Sequence, residues 1–162
     1  MELDRVDRQL LKLVQEDSSR TAEQLASELA HSPSAVQRRL RRLREDEVIV
    51  REVAVVDPKK VGAPTFFIVS LQVERDRPES LTQLRAWFAR EPCVQQAYYV
   101  TGEADFVLIV TAPDTEAYDS LMSRLMADNP NVRKFATNVT LGIVKRGLEI
   151  PVSTAETGKR AP

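Results

Sequence analysis

The sequence is poor in the residues that build disulfides, metal centres and Cys/His catalytic pairs. Its 162 residues include one cysteine, Cys93, and one histidine, His31. A single cysteine excludes an internal disulfide and is typical of proteins from reducing compartments. One cysteine and one histidine are too few for a tetrahedral zinc site or a Cys/His nucleophile pair. We therefore predict a protein without a metal, a cofactor or an enzymatic activity.

Long hydrophobic runs are also missing from the sequence. The longest apolar stretches, FFIVSL and FVLIV, have the length of strands and are far too short to cross a bilayer. The first residues, MELDRVDRQL, are charged throughout, unlike a secretory signal peptide. Apolar residues make up 43% of the chain, which is enough for packed cores. These features predict a cytoplasmic protein with one domain or two small ones.

Positive charge shows no overall excess but is concentrated in one segment. The net charge of the chain is −1, and neither residues 1–50 nor residues 51–162 are basic. Residues 31–45, HSPSAVQRRLRRLRE, nevertheless contain five arginines and no acid before Glu45. Electrostatic attraction to a partner must therefore come from this segment and not from the net charge of the chain.

The first fifty residues have the pattern of a helix-turn-helix. Asp4 can cap a first helix, and Thr21 with Gln24 forms a capping box that opens a second. A very short turn follows, and then Ser32 and Pro33 are the N-cap and first residue of a third helix. Two helices joined by such a turn predict a DNA-binding domain over residues 1–50.

The arginines of the third helix are expected to face away from the core. At about 100° per residue, Val36, Leu40 and Leu43 form a buried stripe, and Arg38 and Arg42 lie opposite it. An ordinary solvated face is the alternative, but such a face usually mixes charges of both signs. In helix-turn-helix proteins the second helix of the motif enters the major groove. We predict base contacts from Ser34, Gln37 and Arg38 and phosphate contacts from Arg39, Arg41 and Arg42, with Ser32 at the start of the same surface.

From residue 49 onward the apolar pattern changes from a helical period to alternation. It predicts a β-linker over residues 51–62, a βαββαβ domain over 63–150 and a flexible tail over 151–162. The strands include residues 66–73, 94–100, 105–110 and 132–146. The fold class is thus α+β, with a ferredoxin-like sheet. Two helices cover one side of such a sheet, so Phe66, Ile68, Val107 and Ile109 on the other side are expected to need a second subunit.

Four stretches together resemble the Lrp/AsnC, or feast/famine, family of transcriptional regulators. They are LDRVDRQLLKLVQED at 3–17, SPSAVQRRLRRL at 32–43, VTGEADFVLIV at 100–110 and TNVTLGIVK at 137–145. The resemblance implies a winged helix-turn-helix followed by a ferredoxin-like ligand-binding and oligomerisation domain. It also implies a homodimer, sometimes a tetramer or octamer, that binds pseudo-palindromic double-stranded DNA under the control of an amino acid.

The resemblance places the small-molecule site near the turn at residues 101–105. There Gly102 allows the turn, Glu103 and Asp105 could receive an ammonium group, and backbone N–H groups could receive a carboxylate. The alternative is a plain hairpin turn with solvated acids. Polar residues of the last strand are weaker candidates. The predicted ligand residues are Gly102, Glu103, Ala104, Asp105, Thr137, Asn138 and Thr140.

Four positions depart from the family pattern, and one of them is His31, which stands where the family often has an apolar residue. Ala30 and Glu47 stand where the family commonly has glycine, at the motif turn and after the third helix. A non-glycine residue in a left-handed conformation is strained by about 1 kcal/mol. Ala104 stands where an aromatic residue is common, which reshapes the expected pocket.

Other functional classes remain alternatives at this stage. One is an architectural DNA-binding protein of low specificity, because oligomeric regulators of this kind can wrap DNA. Another is a ligand sensor with a degenerate DNA-binding helix, against which the arginines argue. Tetrapyrrole-pathway decarboxylases share the architecture but depend on histidines near the substrate, and His31 lies in the helix-turn-helix instead.

Overall fold

The computed structural model describes residues 2–74 and 78–154, which form two compact units. One unit contains the chain up to Ala54 together with the residues from Lys145 onward, and the other contains Val55–Val144. No helix among these described residues is long and apolar enough to span a membrane. The elements are α1 (Arg5–Glu16), α2 (Ala22–Leu29), α3 (Pro33–Glu45), a short 3-10 helix (Pro58–Lys60), β1 (Thr65–Val73), α4 (Pro78–Arg90), β2 (Val94–Tyr99), β3 (Phe106–Ala112), α5 (Thr115–Asp128) and β4 (Val132–Val139).

The three N-terminal helices begin where their capping residues predict. The Asp4 carboxylate accepts the backbone N–H of Asp7 at 2.7 Å. Thr21 and Gln24 satisfy each other's backbone N–H groups, at 3.3 and 2.8 Å. The Ser32 hydroxyl accepts the N–H of Ala35 at 3.3 Å, and Pro33 follows it as the first helical residue. All three predicted starts are therefore confirmed.

The helices of this unit enclose a small apolar core. Leu10, Leu25, Val36 and Leu43 are at most 1% exposed. Leu11 of α1 is buried as well. Between α2 and α3, Ala30 has φ 54° and ψ 43°, and Glu47 after α3 has φ 55°. Both substitutes for glycine thus adopt the left-handed conformation.

The second unit has one four-stranded antiparallel sheet in the order β2-β3-β1-β4. This order, with a helix after β1 and another after β3, is the predicted ferredoxin-like βαββαβ fold. Phe67, Val69 and Leu71 of β1 pack against buried side chains of both helices, such as Leu84 and Leu125. Tyr118 of α5 stacks on Phe67 at a centroid distance of 4.0 Å. The helices therefore cover one side of the sheet.

Two predicted strand segments are not strands in the structure. Residues 51–57, within the predicted β-linker, belong to no β-strand of the described chain. β4 ends at Val139 instead of continuing to residue 146. Thr140 still donates its N–H to Phe66, but β1 begins at Thr65 and offers no further partner to β4. Leu141 and Ile143 consequently lie beyond the sheet, because strand conformation depends on a hydrogen-bonding neighbour as well as on alternation.

The predicted flexible tail is in part bound to the N-terminal unit. The side-chain amide of Gln15 donates to the carbonyl of Ile150 at 3.2 Å, and its oxygen accepts the N–H of Ile150 at 2.9 Å. Val152 is partly buried against the core of that unit. Within the predicted tail of residues 151–162, Val152 thus contacts the N-terminal unit, and residues 155–162 lie outside the described residues.

We expect Ala30→Gly to stabilise the N-terminal unit by about 0.5 to 1 kcal/mol. Glycine removes the left-handed strain, about 1 to 2 kcal/mol, and loses part of that gain to greater freedom in the unfolded chain. Thermal denaturation followed by circular dichroism measures the change. The matched control is Ala35→Gly within α3, where the same substitution costs helix propensity and lowers stability. A lower melting temperature for Ala30→Gly would contradict the strain at this turn.

Candidate DNA-binding helix and ligand turn

Helix α3 buries one side and exposes the other, as its sequence predicts. Val36, Leu40 and Leu43 are buried in the core of the N-terminal unit. The side chains on the far side are exposed, and they include four of the predicted DNA contacts: Ser34, Gln37, Arg38 and Arg41. The hydrophobic stripe therefore fixes which side of α3 is presented to solvent.

The buried carboxylate of Asp7 ties two of the arginines of α3 to α1. Its side chain is only 1% exposed. One oxygen accepts from Arg39 at 2.7 Å, and the other accepts from Arg42 at 2.6 Å. Asp4, at the start of α1, accepts from the same nitrogen of Arg39 at 2.7 Å. Two carboxylates and two guanidinium groups thus form one ionic cluster between α1 and α3.

This cluster shifts the ionisation of its members in the expected directions. Burial acts to raise the pKa of Asp4, but hydrogen bonds from the Asp7 backbone and from Arg39 outweigh it and lower the pKa below its ordinary value. Hydrogen bonds to Asp4 and Asp7 raise the pKa of Arg39. Both groups are therefore charged around neutral pH, and each keeps the other in that state.

Of the predicted phosphate contacts Arg39, Arg41 and Arg42, Arg39 is the least accessible. Its side chain is only 22% exposed and is held by two carboxylates. Arg42 is 44% exposed but is also bonded to Asp7. Sequence reasoning missed this because the acidic partners lie more than thirty residues before the arginines.

Another arginine of α3 is also paired. Arg44 forms an ion pair with Glu52 at 3.1 Å. Among the five arginines of α3, only Arg38 and Arg41 form no ion pair with the part of the chain that the structure describes. They are three residues apart, so they are neighbours on one side of the helix. Arg38 and Arg41 are thus the arginines of α3 whose charge no acid of the described chain balances in an ion pair.

Ser32 has a structural role at the start of α3. Its hydroxyl caps the helix and lies 3.2 Å from the hydroxyl of Ser34. His31, one residue earlier, is exposed. The N-terminal end of α3 is therefore accessible, with Ser34 and Gln37 on its exposed side.

The turn predicted to bind a ligand is held against the end of β1. Gly102 has φ 117°, a conformation that favours glycine. The side chain of Gln72 donates to the carbonyl of Glu103 at 2.7 Å. Asp105 donates its N–H to Leu71 at 2.8 Å, and its carboxylate accepts the N–H of Val73 at 2.9 Å. The Asp105 carboxylate is thus engaged with the backbone, whereas the Glu103 side chain is exposed.

The polar residues of the last strand differ in availability. Thr137 shares a hydrogen bond of 2.5 Å with the hydroxyl of Tyr118. The hydroxyl of Thr140, just after β4, donates to the carbonyl of Phe66 at 3.0 Å. Asn138 is exposed and lies opposite Ile68 in the sheet. Of these three predicted ligand residues, Asn138 has the most accessible side chain.

The two sets of predicted ligand residues do not meet within one chain. The turn is bonded to β1 at Leu71–Val73, whereas Thr140 is bonded to β1 at Phe66. Gln72 lies six residues after Phe66 in β1, a distance of about 20 Å along the strand. Ala104 is half-buried at the turn, on the side of β1 that pairs with β3. A single subunit therefore supplies two separate groups of polar residues.

The side of the sheet away from the helices carries apolar side chains. Ile68 is 37% exposed and lies opposite Ile109 of β3, and Tyr98 is 51% exposed opposite Val107. Val107 and Ile109 are half-buried. Phe66 differs from expectation because it is already buried, at 8% exposure. Three of the four residues expected to need cover thus remain accessible on this side.

No group of three His, Cys, Asp or Glu side chains in the described parts of the chain could hold a metal ion. Cys93 is partly buried against the core, and burial raises the pKa of its thiol. The acidic side chains and Cys93 therefore form no second cluster of reactive groups in the described residues.

Comparison with protein families assigns both units. The model of a winged helix-turn-helix DNA-binding domain matches residues 3–50, and the model of the Lrp/AsnC ligand binding domain matches residues 67–150. The order of these domains is the order of the two units in the structure.

Individual relatives and solved structures agree with this assignment. An uncharacterized HTH-type transcriptional regulator of Sinorhizobium fredii is 41% identical over 152 residues, covering 94% of this chain and 90% of the relative. The leucine-responsive regulatory protein of Escherichia coli is 26% identical over 94% of this chain and 93% of its own length. The crystal structure of an AsnC family transcriptional regulator from Agrobacterium tumefaciens has a TM-score of 0.83 and 32% identity, covering 92% of this chain and 97% of that one.

A transcriptional regulator of Neisseria meningitidis, solved in complex with L-Met, has the same fold. Its TM-score is 0.83 at 22% identity, covering 93% of this chain and 97% of the other. The arrangement of a capped helix-turn-helix before a βαββαβ domain is thus shared over nearly the whole chain. Because both family models match and the similarity to relatives is nearly full-length, this chain belongs to the Lrp/AsnC family of helix-turn-helix transcriptional regulators.

Proposed function

We propose that this regulator binds pseudo-palindromic double-stranded DNA as a homodimer, with one α3 helix in each half-site. The observation that carries the proposal is the exposed pair Arg38 and Arg41 on the side of α3 away from its buried stripe. Arg41 neutralises backbone phosphate, and Arg38 reads base edges together with Ser34 and Gln37. Arg42 adds a weaker phosphate contact because Asp7 already holds it.

The exposed polar residues favour sequence-specific binding over architectural packing of DNA. Gln37 and Arg38 are the kinds of side chain that pair with adenine and guanine edges in the major groove. Ser34 is small enough to let the start of α3 approach the bases. An architectural protein would need few base contacts and a large phosphate surface, whereas α3 offers only two arginines outside ion pairs in the described chain.

We expect Arg41→Ala and Arg38→Ala to affect DNA binding in different ways. Arg41→Ala should weaken binding to all duplexes and reduce the slope of log K against log salt by about 0.9 per bound α3 helix. Arg38→Ala should reduce discrimination between a duplex selected from a random pool and an unselected duplex, by about 1 to 3 kcal/mol. Fluorescence anisotropy at several salt concentrations measures both quantities.

Arg90→Gln, at an exposed position of α4, is the control for loss of a surface arginine. It should change neither the slope nor the discrimination. An unchanged slope in Arg41→Ala would contradict the assignment of α3 to DNA. Equal affinity of the wild-type protein for selected and unselected duplexes would favour the architectural alternative.

The homodimer is proposed from the accessible apolar side of the sheet. Ile68, Ile109 and Val107 lie side by side on neighbouring strands, and Tyr98 extends the surface to the edge strand β2. A second copy placed on this side by two-fold symmetry buries the same residues of both subunits. A symmetric dimer also supplies the two α3 helices that a pseudo-palindromic site requires. Tetramers or octamers built from such dimers are compatible with the family.

Ile68→Asp should shift the dimer toward monomer. A charge in the centre of an apolar interface loses hydration without gaining a partner, which makes association less favourable. Light scattering coupled to size-exclusion chromatography measures the mass. The matched control is Ala86→Asp on the exposed side of α4, which should leave the mass unchanged. A dimeric mass for Ile68→Asp would exclude this side of the sheet as the main interface.

We propose that a free amino acid binds at the turn formed by residues 101–105 and modulates DNA binding or assembly. The exposed Glu103 carboxylate receives the ammonium group, and backbone N–H groups near Gly102 receive the carboxylate. One relative is named as leucine-responsive, and the fold is shared with a regulator that holds L-Met, which supports this class of ligand. Ala104 leaves room where a larger side chain would narrow the pocket. Asn138 and the threonines at 137 and 140 complete the site only if a neighbouring subunit brings them close.

A panel of amino acids should contain at least one that raises the melting temperature. A ligand present at a hundred times its Kd stabilises the folded state by about 2.7 kcal/mol. Glu103→Gln should abolish this shift without changing the melting temperature of the ligand-free protein, because the Glu103 side chain is exposed. Glu116→Gln on α5 is the matched control and should retain the shift. A panel without any shift would contradict amino-acid binding, and a full shift in Glu103→Gln would exclude the proposed ammonium contact.

A further inference from the structure

The Asp7 carboxylate is built into the fold between α1 and α3. Its side chain is 1% exposed, and both of its oxygens accept charged hydrogen bonds, from Arg39 and from Arg42. A carboxylate buried without a partner is strongly unfavourable, so the folded domain retains these contacts. The two guanidinium groups are consequently held in place before any DNA is bound.

The cluster of Asp4, Asp7, Arg39 and Arg42 is neutral in formal charge. Asp4 supplies the second carboxylate and bonds Arg39 at 2.7 Å. Asp4 is also the N-cap of α1, and its own N–H is accepted by the Asp7 carboxylate at 3.2 Å. The same two acids therefore begin α1 and hold the arginines of α3.

Four of the five arginines of α3 form two pairs that differ in their partners. Arg39 and Arg42 are three residues apart and face the two aspartates of α1. Arg38 and Arg41, also three residues apart, are exposed and form no ion pair within the described chain. Contact with α1 distinguishes the pairs, because Asp4 and Asp7 bond only Arg39 and Arg42 among these four arginines of the described chain.

We propose that Asp7 is a positioning residue for DNA binding. It withdraws Arg39 from the phosphate contacts and weakens that of Arg42, so that α3 meets the duplex chiefly through Arg38 and Arg41. The inference rests on the proposed role of α3 in DNA binding. Phosphate contacts supply affinity that is independent of sequence, whereas base contacts supply discrimination. By keeping the phosphate count low, Asp7 raises the share of affinity that comes from reading bases.

The test measures the salt dependence of DNA binding by the full-length protein and by three variants. The probe is one duplex selected from a random pool, titrated between about 50 and 200 mM salt. Asp7→Asn removes the charge that holds Arg42 while keeping the shape of the side chain. The double variant Asp4→Asn with Arg39→Gln removes one charge of each sign, and asparagine still caps α1. Arg41→Gln is the matched loss of an arginine outside the cluster.

Asp7→Asn should steepen the slope of log K against log salt by up to about 0.9 per bound α3 helix, because Arg42 is released from the carboxylate that weakens its phosphate contact. It should also reduce discrimination between selected and unselected duplexes. The double variant should keep the wild-type slope, and Arg41→Gln should lower it by about 0.9 per helix. A residue with only a structural role would change stability and affinity but not produce a steeper slope.

The outcomes separate this inference from the function on which it rests. If Arg41→Gln lowers the slope and the double variant lowers it equally, Arg39 contacts phosphate in the wild type and the inference is overturned. An unchanged or shallower slope in folded Asp7→Asn overturns it as well. Should Asp7→Asn fail to fold, the double variant compared with Arg41→Gln still decides whether Arg39 contacts phosphate in the wild type. If Arg41→Gln leaves the slope unchanged, α3 is not the DNA contact and the proposed function fails together with the inference.

Discussion

The ionic cluster around Asp7 is the contact on which the proposed DNA-binding surface of α3 depends. Because the Asp7 carboxylate is buried, it must be bonded to positive charge. Within the described residues its oxygens accept from Arg39, from Arg42 and from the backbone N–H of Asp4. This requirement fixes the rotation of α3 about its axis together with the buried stripe of Val36, Leu40 and Leu43. Hydrophobic packing alone tolerates small rotations, whereas charge-assisted hydrogen bonds have narrow geometry. The exposed side of α3 is therefore defined by a polar contact as well as an apolar one.

In the second unit, hydrogen bonds to β1 fix the position of the proposed ligand turn. The turn at residues 101–105 is held to β1 by the Gln72 side chain, which donates to the Glu103 carbonyl, and by Asp105, whose N–H and carboxylate bond the backbone of Leu71 and Val73. This arrangement leaves Glu103 exposed and places the turn far along β1 from Thr140. A binding site that uses both regions requires a second subunit. The proposed ligand binding, the proposed assembly and the proposed pairing of α3 helices thus all depend on one oligomer.

Much of the fold was predictable from local patterns. Asp4, Thr21 with Gln24, and Ser32 with Pro33 each begin a helix where capping chemistry predicts, because the bonds involved span only two or three residues. The alternation in β1 correctly predicts that Phe67, Val69 and Leu71 face the helices. Local patterns were less reliable where a strand also needed a neighbouring strand. Residues 51–57 and the segment after Val139 have strand-like sequences but form no strand, because alternation does not supply a neighbouring strand.

The sequence by itself determined the order of the two domains, the helix starts, the buried stripe of α3 and the positions at which alanine and glutamate replace glycine. These properties depend on periodicity and on interactions between near neighbours in the chain. Only the tertiary structure decided which arginines of α3 are held in ion pairs, that Asp105 bonds the backbone of β1, and that the two groups of ligand candidates lie apart. Arg39, Arg42 and Asp105 meet partners more than thirty positions distant in the sequence, and no local pattern records which distant side chains folding brings within hydrogen-bonding distance.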